Sequence, residues 1–221
     1  MPKFERIDDA FREFIEAQKV FFAGTAAREG RVNISVKGMD TLRVMGPNRI
    51  VWLNLTGSEN ETAAHLLESP RMTLMWCSFE TRTLVLRAYG NAKVFHSRAK
   101  EWGDLISLFP SLPAARQILD LHVDLVLTSC GFGVPLFDYV GQRETLRRWG
   151  ENKGPEGVRE FWEKRNQVSI DVYKFRLDLT GFVNRGWAVR LHEAVGSHAA
   201  CINFSFATGS VSMKVAIGVL P

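Results

Sequence analysis

The stretch 32–76, VNISVKGMDTLRVMGPNRIVWLNLTGSENETAAHLLESPRMTLMW, decides the fold. It opens on strict alternation. Val32, Ile34 and Val36 fall on one side of an extended chain and Asn33, Ser35 and Lys37 on the other, the period of a half-buried strand. Gly38 ends that strand. Residues 41–45 and 50–55 read as two more, joined by the turn signal Gly46-Pro47-Asn48. Ser58 then opens a helix to about Glu68, with Glu61 three residues on as the second half of a capping box, and Pro70 closes it. Residues 71–77 form the next strand. Most connections are too short for parallel crossovers, so the strands pair antiparallel.

Outward from this stretch the same grammar continues. Ile7, Ala10, Phe11, Phe14 and Ile15 recur at helical spacing, which predicts an amphipathic helix over 7–19. Residues 20–26 form a short apolar strand, and the tract 28–31, with Gly30, turns it back. On the other side, 84–95 and 121–128 read as strands, 97–108 and 113–119 as helices, and 131–135 as a tight loop. The charged segments 141–150 and 155–166 read as amphipathic helices. The sum is a mainly β, α+β domain: about six or seven antiparallel strands in a small barrel, with flanking helices.

Composition agrees with a globular chain. Of 221 residues, 46% are hydrophobic and 24% charged. The net charge of +4 is uneven: +1 over residues 1–171 and +3 beyond. A near-neutral body without a basic stripe excludes a nucleic-acid footprint. The three cysteines, Cys77, Cys130 and Cys201, are far apart and lack zinc spacing, and read as reduced thiols of a cytoplasmic protein. The N-terminus MPKFERIDDAF carries charges throughout and no apolar core, so no secretory leader is expected.

The segment 32–76 is similar to the core of pyridoxamine 5′-phosphate oxidase-like FMN-binding proteins. That core has a strand ending in Lys, a strand ending near a Thr, a Gly/Ser turn, and a helix ending in a Ser-Pro or Asn-Pro pair before a further strand. The segment DLVLTSCGFGVPLFDYVGQRETLRRWGE, residues 124–151, resembles one branch of that family. The resemblance spans residues 4–171. It implies a split β-barrel domain over 1–171, binding FMN at a homodimer interface, and a C-terminal extension over 172–221. It also implies an oxidoreductase acting on a small molecule. The same family includes deazaflavin-dependent reductases and haem-handling members, so a deazaflavin enzyme and a non-enzymatic flavin- or haem-binding dimer stay open.

The site follows from both lines. A flavin mononucleotide needs donors for a dianionic phosphate and an apolar wall for its ring. Asn33, Ser35 and Lys37 supply two neutral hydrogen-bonding side chains and one cation. The segment 57–62 leads into a helix N-terminus, where free N–H groups favour anions. Gly57, Ser58, Asn60 and Thr62 lie there, and Thr56 falls where the family places a Thr on the flavin edge. Lys37 matches the family's strand Lys. The family's basic pair at the helix start falls on Glu61 and Thr62, and its Arg before the strand falls on Val32. Arg31, Arg43 and Arg87 are the sequence's candidates to replace the missing cations. The basic residues with which the oxidase itself grips pyridoxamine phosphate have no counterpart, so that activity is not the one expected.

The remaining polar residues read as structural. His65 faces outward or caps local structure. Asp120, His122 and Asp124 share a strand face at period two, read as a polar dimer face ahead of a metal site, and no metal is assigned. Cys77 is core and Cys130 an idle loop thiol. Trp102, Trp149, Trp162 and Trp187 are packing anchors. No catalytic side chain is assigned. The twenty residues 194–213 lack Asp, Glu, Lys and Arg, yet Asn203 and many hydroxyls among them argue against a membrane span.

Overall fold

The structure, a computed structural model, describes residues 2–58 and 60–171. The expectations about 172–221, with Trp187, Cys201 and Asn203, lie outside the described residues. In chain order the elements are β1 (Lys3–Phe4), α1 (Asp9–Ala17), β2 (Phe21–Ala26), β3 (Val32–Lys37), β4 (Leu42–Gly46) and β5 (Arg49–Leu55). Then come α2 (Glu61–Glu68), β6 (Arg71–Cys77), β7 (Val85–Phe95), α3 (Trp102–Ile106), β8 (Ala115–Ser129) and α4 (Thr145–Arg165). The eight strands form one antiparallel sheet in the order β3-β2-β6-β7-β8-β5-β4, with β1 added on β8.

The fold is mainly β and antiparallel, as the alternation in 32–37 and the short turns imply. The strand count exceeds the expected six or seven partly because β1, only two residues long, carries no periodicity to read. α1 starts where Asp8 accepts from the Phe11 amide at 2.8 Å, and its Phe14 and Ile15 are buried against the sheet. Phe21 and Trp52 meet edge to face at 5.7 Å in the same core.

One expected helix is a strand. Residues 113–119, read as helical, begin the fifteen-residue β8. This strand runs between β5 and β7 and buries Arg116, Gln117, Ile118 and Leu119 in succession. A strand covered on both faces has no polar side, so its sequence lacks the period of two and an apolar run reads equally as a helix. The expected helix 97–108 shrinks to the five residues of α3. The expected helices 141–150 and 155–166 merge into α4, broken at Gly154, whose φ of 65° precedes Pro155.

The capping box does not form. Asn60, not Ser58, is the N-cap of α2, no side chain caps it, and Glu61 is drawn to the backbone amide of Ile170 at 2.8 Å. Strand β3 also reverses the usual rule for an alternating strand. Its apolar residues Val32, Ile34 and Val36 are 70%, 71% and 64% exposed, while Asn33, Ser35 and Lys37 turn inward.

Candidate functional site

The inward side of β3 builds a polar cleft. The Asn33 amide donates to the Thr25 and Thr62 hydroxyls, both at 3.1 Å, and Ser35 donates to Asn33 Oδ1 at 3.1 Å. This ties the edge strand to the first turn of α2. Across the cleft, Lys37 Nζ lies 3.4 Å from Asn54 Oδ1, and Asn54 donates to Gln117 at 3.1 Å. The Lys37 ammonium also sits 5.4 Å from the Trp52 ring centroid. Together these walls enclose a cleft of about 270 Å³.

Seven of the eight expected site residues line this cleft: Asn33, Ser35, Lys37, Gly57, Ser58, Asn60 and Thr62. The eighth, Thr56, lines a neighbouring cavity. Its hydroxyl donates to the Ala114 carbonyl at 2.9 Å and accepts from the Trp162 indole at 2.8 Å. Asn60 is only 2% exposed, yet neither its Oδ1 nor its Nδ2 has a hydrogen-bond partner among the described residues. A buried amide left this way costs about 1–3 kcal/mol unless a ligand or water satisfies it.

The sequence misplaced the second cation. Arg31 pairs with Asp171, Arg43 with Asp40 at 2.7 Å, and Arg87 donates to Ser129 at 3.2 Å, so none of the three lines the cleft. Arg116 does, from the start of β8. Reading 113–119 as a helix concealed it, because only the strand register Asn54↔Gln117 places Arg116 near Lys37. Burial pulls the Arg116 guanidinium down to about 9. Burial first, and Arg116 second, pull the Lys37 ammonium down to about 8.

His65 was also misread. It is 1% exposed, with Nδ1 3.2 Å from the Thr25 hydroxyl and Nε2 3.7 Å from Glu61. Glu61 and His65 are four residues apart and so share the face of α2 that packs on β2. On the other polar face, Asp120 forks with Arg49 at 2.7 and 3.0 Å. No cluster of three His, Cys, Asp or Glu suited to a metal occurs among the described residues. Cys77 is buried, which pushes its thiol up, and Cys130 is exposed.

The neighbouring cavity, about 740 Å³, shares Lys37, Gly57 and Ser58 with the polar cleft. Its other walls are mostly apolar, from Val20, Val36 and Met39 on one side and Tyr139, Trp149 and Phe161 on the other. Trp149 and Phe161 meet edge to face at 5.2 Å, so this wall is packed by α4 itself. A third groove of about 530 Å³ lies on the outer face, where Phe22, Met75 and Tyr89 adjoin Val32 and Ile34.

A family model described as pyridoxamine 5′-phosphate oxidase matches residues 7–130. The chain is 34% identical over 151 residues to the pyridoxamine 5′-phosphate oxidase family protein ustO of Aspergillus flavus. That match covers 66% of this chain and 61% of the relative, so the chain spans about three fifths of its length. Among solved structures, an FMN-binding protein from Syntrophomonas wolfei is 19% identical with a TM-score of 0.41, covering 53% of this chain and 82% of that one. HutZ, a haem storage protein from Vibrio cholerae, is 17% identical with a TM-score of 0.42, covering 57% of this chain and 97% of that one. No helix among the described residues is long and apolar enough to cross a membrane. With more than half of its length matched by the family model, the chain belongs to the pyridoxamine 5′-phosphate oxidase family.

Proposed function

We propose that this protein binds FMN and works as an oxidoreductase on a small molecule, with the flavin phosphate in the polar cleft and the ring in the apolar cavity. One observation carries the reading. A cleft with a buried cation and an unsatisfied buried amide opens into an apolar, aromatic-walled cavity, and the two share Lys37, Gly57 and Ser58. The residues fit the group: Lys37, Asn60 and Thr62, braced by Asn33 and Ser35, offer donors at one end, and Val36, Met39, Tyr139 and Trp149 an apolar wall at the other. The flavin, when bound, supplies the hydride or electron transfer. The chain's part is to hold the phosphate, orient the ring and exclude water from one face of it.

The test is the visible spectrum of the purified full chain, alone and with added FMN. Flavin bands, or saturable uptake of FMN, support the reading. A single deazaflavin band, a sharp Soret band, or no uptake would end it.

Binding carries a pH signature. The phosphate dianion needs Lys37 charged, and Lys37 titrates at about 8. Above that pH, binding must take up a proton. FMN affinity is therefore highest between about pH 6, where the phosphate becomes dianionic, and pH 8, and falls by up to about tenfold per unit as pH rises further. For the protein without ligand the sign is opposite. Its folded-state lysine pKa lies below the unfolded value, so the unfolded chain binds more protons above pH 8 and stability rises with pH there. Isothermal titration at pH 7, 8 and 9 checks the first, and denaturant melts over the same range the second.

The homodimer belongs to the same proposal. Exposed Val32 and Ile34 run into the groove of Phe22, Met75 and Tyr89, making a contiguous apolar face on an edge strand. A second copy covers this face. An Ile34→Asp variant sediments as a monomer, whereas the wild-type chain sediments as a dimer. A wild-type monomer at micromolar concentration contradicts this.

A further inference from the structure

The apolar cavity beside the polar cleft carries charge of one sign. Lys19, Lys37 and Arg143 line it, and no aspartate or glutamate does among the described residues. The acids beside lining residues in the chain are engaged elsewhere: Asp40 pairs with Arg43, Glu144 with Arg147 and Glu160 with Lys164. Asp138, next to Tyr139, does not line the cavity. Lys37 also serves the polar cleft, so the cavity's own cations are Lys19 and Arg143, both exposed. Arg143 forms no ion pair among the described residues.

Two distant segments bring these cations to one rim. Lys19 sits between α1 and β2, and Arg143 just before α4. The Lys19 ammonium lies 5.9 Å from the Tyr139 ring centroid, so the two segments meet at the rim. Gln142 Oε1 lies 3.8 Å from where a Cβ on Gly38 would stand, which seats the segment before α4 on the end of β3. Inside the rim, Val20, Leu146, Trp149 and Phe161 are apolar. A cavity of about 740 Å³ that is apolar within, positive at its rim and free of acids complements an apolar molecule with one anionic end. Tyr139, Arg143, Trp149 and Phe161 also lie past residue 130, where the family match ends, so that match does not account for this wall.

We propose that the substrate is an aromatic carboxylate, held by Arg143 and Lys19 at the rim while its apolar body lies against Trp149 and Phe161. The substrate role rests on the flavin reading above; the carboxylate site does not. The guanidinium fork of Arg143 suits the two oxygens of one carboxylate, and Lys19 adds a point charge. The flavin phosphate has its own place in the polar cleft and makes no use of this rim.

The experiment titrates the full chain calorimetrically, with and without FMN, using naphthoate, its neutral analogue naphthamide and the cation naphthylmethylammonium. Wild type binds naphthoate at least about fivefold more tightly than naphthamide, since one exposed ion pair contributes up to about fivefold. The cation binds no better than the amide, and the preference for naphthoate shrinks as salt is added. A double variant, Lys19→Gln with Arg143→Gln, loses the preference while its naphthamide affinity, its FMN uptake and its melting midpoint stay close to those of wild type. Both side chains are exposed, so the fold does not depend on them. In the FMN-loaded chain, naphthoate shifts the visible flavin band, as a ligand beside the ring must. Equal affinity for naphthoate and naphthamide, no uptake of naphthoate, or a preference that survives in the double variant would overturn the carboxylate site and leave the flavin reading intact. Naphthoate bound without any shift of the flavin band would overturn the substrate role. If the chain takes up no FMN, the flavin reading and the substrate role fall, and the naphthoate preference of the FMN-free chain alone decides the carboxylate site.

Discussion

A Lys37→Met variant loses FMN affinity by at least about tenfold and gains stability when no ligand is bound. Met keeps the aliphatic stem that packs under the ammonium, which lies 5.4 Å from the Trp52 ring, and deletes the charge. A charge-assisted bond is worth about 1.5–3 kcal/mol, which is about tenfold to a hundredfold in the dissociation constant. The opposite sign in stability follows from burial. The folded protein holds this ammonium at about 8, well below its ordinary value, because it is taken out of water and faces Arg116. Removing the charge removes that cost. A fluorescence titration and a thermal melt read the two effects independently. Unchanged FMN affinity takes Lys37 out of the site.

Gly90→Ala is the substitution with the largest cost in stability. Tyr89 pairs with Leu125 and Gly90 with Val123, so β8 carries a bulge, at Asp124, opposite this glycine. A Cβ on Gly90 would lie 1.8 Å from the His122 carbonyl oxygen and 2.8 Å from its carbon. Both are backbone atoms of the central strand, so no rotamer change relieves the clash. Overpacking of this kind costs at least about 3 kcal/mol, at the upper end of what cores tolerate. Gly46→Ala serves as the control, since a Cβ there meets nothing within 4 Å. The two midpoints in urea are compared. Equal midpoints would mean that β7 and β8 do not approach in this way.

How far the sequence could be read follows from the same strands. The alternation in β3 announced a strand with one polar face, and that face proved to be a cleft wall because an edge strand beside α2 can bury polar atoms if they bond one another, as Asn33, Thr25 and Thr62 do. The turn 57–62 was legible from Gly57 and the hydroxyls around it. Arg116 was not, since a central strand buried on both faces hides its period, and a bulge moves one residue out of the register that alternation would give. His65 was misread for a related reason. Its burial depends on which face of α2 meets β2, and Glu61 on that face gave the wrong polarity signal. The C-terminal contribution was equally hidden. Trp162, Asn166 and Ile170 each reach the 56–61 region across about a hundred residues of chain, which no local pattern encodes.

The central claim is that β3, the start of α2 and β8 together grip a flavin phosphate. The most direct measurement is a crystal structure of the full chain grown with FMN. The account predicts the phosphorus between Lys37 and Arg116, within hydrogen-bond reach of Asn60, and the isoalloxazine against Trp149 and Tyr139. Flavin seated elsewhere, with water filling the space between Lys37 and Arg116, would contradict it.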